Sequence, residues 1–165
     1  LWVNEQWMRR IPPRELAERV LPYLAALGFD AEVDDALVTL VEALVPRSQT
    51  LVEMAEQMRW RFEPPSEYDP KACKKWLKAG SKPAFEELVD RIAALEPFDA
   101  ASLEATFESV MAAHEIKMGK LAQPVRIAIT GSSVSPGIYE TLCSLAHDDA
   151  VARLRAVLPH FPEPS

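Results

Sequence analysis

The N-terminal part of the chain repeats its apolar positions with the period of an α-helix. Pro12 and Pro13 start a helix, and Gly28 ends it as the first residue beyond its C-terminus. One face of this helix carries the apolar side chains of Leu16, Val20, Tyr23, Leu24 and Leu27. Because Pro22 falls inside the pattern, we expect it to kink or divide the helix.

Two further apolar stripes predict the next two helices. The first stripe stops at Pro46 and consists of Leu37, Leu40, Val41 and Leu44. Thr50 and Glu53 then have the spacing of a capping box, although Ser48 competes for the N-cap. The helix that follows carries Leu51, Met54, Ala55, Met58 and Phe62.

A proline-rich segment separates the two halves of the chain. It runs from Glu63-Pro64-Pro65-Ser66 through Asp69-Pro70 and is the strongest linker signal in the sequence. The pattern therefore predicts one helical subdomain over residues 1–66 and a second over residues 67–165.

The second half is also helical in pattern. A short helix over Ala72 to Ala79 precedes one whose apolar face holds Phe85, Leu88, Val89, Ile92 and Leu95. Asp99 caps a longer helix that carries Leu103, Phe107, Val110, Met111 and Met118. The last two helices run from Ser135 to about His147 and from Asp148 to about Leu158, before a tail from Phe161 that we expect to be frayed. No segment reads as a strand, so the predicted fold class is all-α: multihelical, with two small helical subdomains joined by the proline-rich linker.

Composition excludes several classes of protein. With 165 residues, 48% of them hydrophobic, the chain can bury a core of one or two small domains. Its cysteines, Cys73 and Cys143, indicate neither a disulfide framework nor a Cys-x-x-Cys metal motif. Cys143 and His147 stand four residues apart, but two ligands do not make a zinc site. We find no signal peptide and no apolar run long enough to span a membrane, and we expect a cytoplasmic location.

The net charge of −7 has the wrong sign for a protein whose whole surface attracts nucleic acid. The basic residues nevertheless cluster. One run without acids contains Lys71, Lys74, Lys75, Lys78 and Lys82, and a second patch contains Lys117, Lys120 and Arg126. A local basic surface is enough to contact phosphates, because charges act within about 10 Å at 0.1 M salt.

The most informative segment runs from Lys117 to Ile138. Its basic residues precede an apolar Ile-Ala-Ile stretch, a glycine break and a Ser-Pro pair. Ser135 is a good N-cap and Pro136 a good first helical residue, so we expect free backbone N–H groups that can meet an anion.

Three motifs resemble the C-terminal anticodon-binding region of bacterial-type glutamyl-tRNA synthetases, a family of class I aminoacyl-tRNA synthetases. The first is the segment Lys117–Ser132 followed by Ser135-Pro136-Gly137, similar to the family pattern K-x-G-x-x-x-Q-P-x-R-x-A-[LI]-T-G and [ST]-P-G. The second begins at Trp2 and ends at Arg9, and the third spans Arg47 to Glu56. The motifs occur in the family's order, at compatible spacings, and cover nearly the whole chain.

The resemblance implies a tRNA anticodon recognition module, which is not catalytic on its own. The parent enzyme would be the ligase that attaches glutamate to its tRNA with ATP and magnesium, both held by the catalytic domain. The implied partners are the anticodon loop of glutamate tRNA and that catalytic domain, and we expect a monomer. The chain itself shows no nucleotide-binding or hydrolase motif, and we interpret it as a C-terminal fragment of the parent enzyme.

The resemblance also assigns roles to individual residues. Arg47 falls where the family places an arginine that reads the third anticodon base. Arginine offers only donors, which suits the two acceptors of the cytosine Watson–Crick edge and opposes the N–H groups of guanine. Glutamate anticodons end in C and glutamine anticodons in G, and family members that accept both tRNAs commonly carry Gln here. Arg47 therefore predicts an enzyme that discriminates between the two tRNAs.

The remaining site residues lie in the second subdomain. Arg126 matches the family arginine that engages the splayed-out anticodon bases, where a guanidinium can stack and hydrogen-bond. The segment that contacts the first and middle bases corresponds to Ser135, Pro136 and Ile138, where the family commonly has Thr for Ser135 and often Leu for Ile138. Candidate phosphate contacts are Lys117, Lys120 and Gln123.

Other interpretations stay open at this point. Arg47 could be a surface arginine that pairs with an acid such as Glu53, and the tryptophans at positions 2, 7, 60 and 76 could stack on bases or anchor the core. The chain could also be an acidic helical protein-interaction module without tRNA specificity. A stand-alone hydrolase or transferase would need a deep pocket with a paired acid and base.

Overall fold

The computed structural model describes residues 6–164. The motif that begins at Trp2 therefore lies partly outside the described residues, and so does Ser165 at the end of the tail. Within residues 6–164 the secondary structure is helical and contains no strand, which confirms the predicted all-α class. The chain folds as two compact units, residues 1–63 and residues 64–165, whereas the sequence pattern placed the division after Ser66.

Beyond the helical residues 6–8, the described part of the first unit contains three α-helices and two short 3₁₀ helices. These are α1 (Pro13–Ala26), α2 (Asp35–Leu44), the 3₁₀ helix Val45–Arg47, α3 (Leu51–Gln57) and the 3₁₀ helix Arg59–Arg61. Helix α1 packs against both α2 and α3. Their shared core contains Met8, Leu16, Val20, Leu24, Leu37, Val41, Met54 and Met58.

Local signals define both ends of these helices. Gly28 has φ of 92° and ends α1: its N–H donates to Ala25 O, and the Phe29 N–H donates to Leu24 O. Pro22 lies inside α1 without dividing it. The Thr50 hydroxyl accepts from the Glu53 N–H at 3.1 Å, so Thr50, and not Ser48, caps α3.

The second unit contains six α-helices within its described residues. These are α4 (Pro70–Trp76), α5 (Lys82–Ala93), α6 (Ala100–His114), α7 (Gly119–Thr130), α8 (Ile138–Cys143) and α9 (His147–Val157), with 3₁₀ helices at Ala79–Ser81 and Leu158–His160. Helix α7 lies at the centre, where α4, α5, α8 and α9 all pack against it. Its buried residues are Leu121, Ala122, Pro124, Val125, Ile127, Ala128 and Ile129.

Two sequence predictions for the second unit were wrong, and one helix was not predicted. The helix capped by Asp99 ends at His114 and does not reach Met118, because Glu115 turns the backbone into the left-handed region at φ 51°. Helix α7 has no counterpart among the predicted helices. The tail is packed at its start, since Phe161 is buried against Phe85 with 5.1 Å between ring centroids.

The Ser135 prediction also needs correction. Helix α8 begins at Ile138, after Gly137, and no side chain caps it. Ser135 and Pro136 therefore lie before the helix, in the turn that follows α7. This segment therefore does not present the free backbone N–H groups that were predicted for a helix starting at Ser135.

Candidate nucleic-acid interface

Arg126 is a half-buried polar residue on the central helix of the second unit. It lies on α7 between the buried residues Val125 and Ile127. A long side chain that starts inside the core and ends near its surface has few rotamers open to it, because close packing restricts them. The position of Arg126 on α7 therefore limits where its guanidinium can lie.

Ser135 holds that guanidinium from the turn after α7. The Arg126 Nε donates to Ser135 Oγ at 3.1 Å, and Ser135 Oγ in turn donates to the Pro136 carbonyl at 2.8 Å. The Thr141 hydroxyl on α8 lies 3.4 Å from both Ser135 Oγ and Pro136 O. Ser135 is only 8% exposed, so it acts on Arg126 from inside the fold.

A glycine determines the path of the chain between α7 and Ser135. Gly131 has φ of 82°, and a Cβ at this position would lie 2.8 Å from Glu67 O and 3.0 Å from Pro65 Cβ. The Asp69 N–H donates to the Gly131 carbonyl at 2.7 Å. The segment around Pro65 to Asp69, read from the sequence as a linker, is thus packed against the end of α7.

The first residues of the turn are also held in place. Thr130 Oγ1 donates to the Arg126 carbonyl at 2.9 Å and accepts from the Ser132 N–H at 3.2 Å. Arg153, which is 4% exposed on α9, donates to the Ile129 carbonyl at 3.2 Å and pairs with Asp149 at 3.0 Å. Sequence reasoning missed Arg153, since only its spacing of four residues from Asp149 was visible.

The other predicted residues of this site differ in exposure. Pro136 and Ile138 are buried, Ile138 at 5%. Val134, which sequence reasoning missed, is 70% exposed in the same turn. A single valine among Ser, Gly and Pro residues has no periodicity to reveal it.

The candidate phosphate contacts lie at the start of α7. Lys117 and Lys120 are exposed, and Gln123 is half-buried. The Gln123 Oε1 atom is buried and has no hydrogen-bond partner among the described residues. These three residues precede Arg126 on the same stretch of chain.

Arg47 lies in the first unit, and the other seven predicted site residues lie in the second. It is an exposed residue at the end of the 3₁₀ helix Val45–Arg47, and Gln57 Nε2 donates to its carbonyl at 3.1 Å. The Glu53 Oε2 atom accepts from the Gln49 N–H at 2.8 Å. The Arg47 carbonyl and the backbone two residues after it are therefore anchored to α3.

Three further features bear on the alternatives. Within residues 6–164 no group of three His, Cys, Asp or Glu side chains could hold a metal ion; His147 Nε2 lies 2.6 Å from the Ile92 carbonyl. A recess of about 250 Å³ in the first unit is lined by Trp7, Met8, Tyr23, Thr50, Leu51 and Val52, a set without a paired acid and base. None of the described helices is long and apolar enough to cross a membrane.

Comparison with known proteins identifies the class. Residues 15–158 match a family model described as "Anticodon binding domain". The chain belongs to this family of anticodon-binding domains.

The similar curated proteins are glutamate–tRNA ligases. The chain is 39% identical over 158 residues to the ligase of Syntrophobacter fumaroxidans, covering 96% of the chain and 34% of that protein. It is 40% identical over 153 residues to the ligase of Anaeromyxobacter sp. strain Fw109-5, covering 93% of the chain and 32% of that protein. The chain therefore spans about a third of the length of these relatives, and the part it matches is the anticodon-binding part. This confirms the predicted non-catalytic module of such a ligase.

A solved structure shows the same fold. The glutamate–tRNA ligase of Elizabethkingia meningosepticum, crystallised in complex with its amino acid, matches 98% of the chain and 32% of its own with a TM-score of 0.89 at 18% identity.

Proposed function

We propose that this chain reads the anticodon loop of glutamate tRNA as part of a glutamate–tRNA ligase. The observation that carries the proposal is the Arg126 Nε to Ser135 Oγ hydrogen bond of 3.1 Å. A bond to Nε orients the plane of the guanidinium before any ligand arrives. A preoriented guanidinium can stack on a splayed-out base and donate to its edge, at a smaller entropic cost on binding.

Arg47 supplies the discrimination between tRNAs in this proposal. Its side chain is exposed, while its carbonyl is held by Gln57. A guanidinium presents donors only, so it satisfies O2 and N3 of cytosine and confronts the N–H groups of guanine. An anticodon that ends in C is favoured over one that ends in G for this reason.

The charge distribution supports binding to RNA despite the net charge of −7. Lys117 and Lys120 are exposed at the start of the helix that carries Arg126. Phosphates on either side of the anticodon can be neutralised there, with Gln123 donating an amide hydrogen bond.

The rest of the parent ligase completes the reaction. We assign ATP and magnesium to its catalytic domain, as the resemblance to glutamyl-tRNA synthetases implies. The similarity of the chain to about a third of each relative supports attachment to that domain. We further propose that the ligase acts as a monomer in the cytoplasm.

The test compares two anticodon stem-loops that differ only in the third anticodon base, C or G. Dissociation constants are measured by fluorescence anisotropy at about 50 and 200 mM salt, for the wild type and Arg47→Gln. The wild type prefers the C loop, and the preference falls about tenfold in Arg47→Gln, since one base-reading contact contributes about 1–3 kcal/mol.

Arg14→Gln is the matched control, because it removes an exposed arginine of the same unit that lies 4.0 Å from Asp35. It leaves the preference unchanged. If the wild type and Arg47→Gln preferred the C loop equally, a residue other than Arg47 would read the third anticodon base. Absence of salt-sensitive binding to both loops would overturn the proposal in favour of a protein-interaction module.

A further inference from the structure

Helix α4 carries an unusual concentration of exposed lysines. Lys71, Lys74 and Lys75 lie on α4 and Lys78 follows it, and all four are exposed. No acid occurs in the chain between Pro70 and Lys82. A helix of this composition repels itself unless water or an anionic ligand screens the charge.

The packing of α4 on α7 brings these lysines close to a second set. The Asp69 N–H donates to the Gly131 carbonyl, so the start of α4 meets the end of α7. At the other end, a Cβ added to Gly119 would lie 3.9 Å from the Trp76 ring. The two helices are therefore antiparallel, and the last turn of α4 lies beside the first turn of α7.

This arrangement assembles one basic surface from two distant parts of the sequence. Its members are Lys74, Lys75, Lys78, Lys117 and Lys120, all of them exposed. We call this set the lysine surface. Lys71 lies at the opposite end of α4, next to Asp69, and Lys82 is paired with Glu163 at 3.2 Å.

The ammonium groups of the lysine surface are available to an anion. Among residues 6–164, none of the five lies within 4.0 Å of a carboxylate. The Lys75 ammonium lies 4.9 Å from the centroid of the Trp76 ring, and Lys78 donates to the Lys74 carbonyl at 2.6 Å. These contacts orient two of the lysines without neutralising their charge.

We propose that the lysine surface binds the phosphate backbone of the RNA next to the anticodon loop. Lys120 and Arg126 lie six residues apart on α7, a rise of about 9 Å along the helix axis. A chain whose bases reach Arg126 would therefore have phosphates within reach of the lysines. The inference rests on the proposed function and extends its phosphate contacts from Lys117 and Lys120 to the lysines at the end of α4.

The test is the salt dependence of binding to the C-ending stem-loop. The logarithm of the association constant falls linearly with the logarithm of the salt concentration. In the triple variant Lys74→Gln, Lys75→Gln, Lys78→Gln, this slope becomes less steep by about 2, since each single-strand phosphate contact contributes about 0.7. Affinity for the C and G loops falls by the same factor, because phosphate contacts carry no base information. The corresponding triple Lys→Arg variant retains the wild-type slope.

The matched control is the double variant Lys71→Gln, Lys82→Gln, which removes charge from the same run outside the lysine surface. It keeps a slope close to that of the wild type. Circular dichroism verifies that every variant retains its helical content. A wild type that prefers the C loop, together with an unchanged slope in the triple Gln variant, overturns the lysine surface and leaves the proposed function intact. A wild type that binds neither loop overturns both.

Discussion

The two arginines proposed to read bases are held in different ways. In the first unit, Arg47 ends a short 3₁₀ helix, and two bonds from α3 hold the backbone at and after it: Gln57 donates to its carbonyl, and Glu53 accepts from the Gln49 N–H. In the second unit, the Arg126 side chain itself is held, through Nε, by the buried Ser135.

The two sites differ in how strongly the position of each arginine depends on contacts between distant parts of the chain. The Gln57 and Glu53 contacts of the Arg47 segment join residues at most ten positions apart in the sequence. The Arg126 site requires the α7 to α8 turn to return to the helix, which depends on Gly131 and on the packed segment Pro65 to Asp69. We therefore expect binding at the Arg126 site to be more sensitive than binding at the Arg47 site to substitutions at residues that do not contact the bases.

The largest effect is expected from Gly131→Ala, compared with Gly28→Ala in the first unit. Both glycines have positive φ, 82° and 92°, which costs an alanine about 1–2 kcal/mol. At Gly131 the new Cβ would also meet the Glu67 carbonyl at 2.8 Å, whereas nothing lies within 4 Å at Gly28. Urea unfolding should show a loss of about 2–4 kcal/mol for Gly131→Ala and about 1–2 kcal/mol for Gly28→Ala.

A second consequence separates the two glycines. Gly131→Ala should also weaken binding of the C-ending loop, because the turn that carries Ser135 must shift. Gly28→Ala should bind as the wild type does. Equal unfolding free energies for the two variants would show that the turn accommodates a Cβ and that the close approach to Glu67 is unimportant.

An intermediate effect is expected when the support of each arginine is removed. Ser135→Ala removes the hydrogen bond to Arg126 Nε, and affinity for both loops should fall about three- to tenfold, which corresponds to about 1 kcal/mol for one hydrogen bond. Gln57→Ala removes an exposed bond to the Arg47 carbonyl, and the C over G preference should fall about twofold.

Binding titrations measure both effects, and Ser135→Thr provides the control because it keeps the hydroxyl. Restored affinity in Ser135→Thr with weak binding in Ser135→Ala would assign the effect to the Arg126 contact. If Gln57→Ala were the more damaging of the two variants, the comparison between the units would be reversed.

The smallest effect concerns the pH dependence of two helix caps. Burial of Asp34 opposes its ionisation, but the Leu37 N–H and Arg61 outweigh it, so its pKa lies below the ordinary value of 3.8. The Ser102 N–H lowers the pKa of Asp99 below the same value. A carboxylate with a lowered pKa stabilises the fold above its unfolded pKa and loses that contribution as the pH falls through the folded value.

Asp34→Asn and Asp99→Asn keep a capping side chain and remove this titration. Each variant should be less stable than the wild type at pH 7, more so for Asp34→Asn because Arg61 also loses its partner at 3.0 Å. The difference in stability between each variant and the wild type, measured by thermal unfolding, should narrow as the pH falls below 3.8. A difference that stays constant down to acid pH would show that the charge is unimportant.

Much of the fold could be predicted because its signals are local. The helix period, the caps at Thr50 and Asp99 and the glycine after α1 each depend on residues within about five positions of one another. The last helix, predicted from Asp148 to about Leu158, is observed at His147–Val157 for the same reason.

The errors occurred where a residue with good local chemistry has a distant partner. Ser135 has the composition of an N-cap, yet its hydroxyl serves Arg126 nine residues away and the Pro136 carbonyl. Phe161 stands in a proline-containing tail, yet it packs on Phe85. Helix α7 was missed because Gly119 and Pro124 are poor helix formers, and burial on most sides overrides that preference.

The sequence by itself determined the all-α class, most of the helices and, through three motifs, the anticodon-binding family. Motif spacing also gave eight candidate site residues, and their roles in reading the anticodon stay predictions. The tertiary structure alone showed that Ser135 holds Arg126, that Gly131 closes the turn against Glu67, and that α4 and α7 run antiparallel. Contacts between residues tens of positions apart depend on how whole helices pack, and no local spacing along the chain encodes that packing.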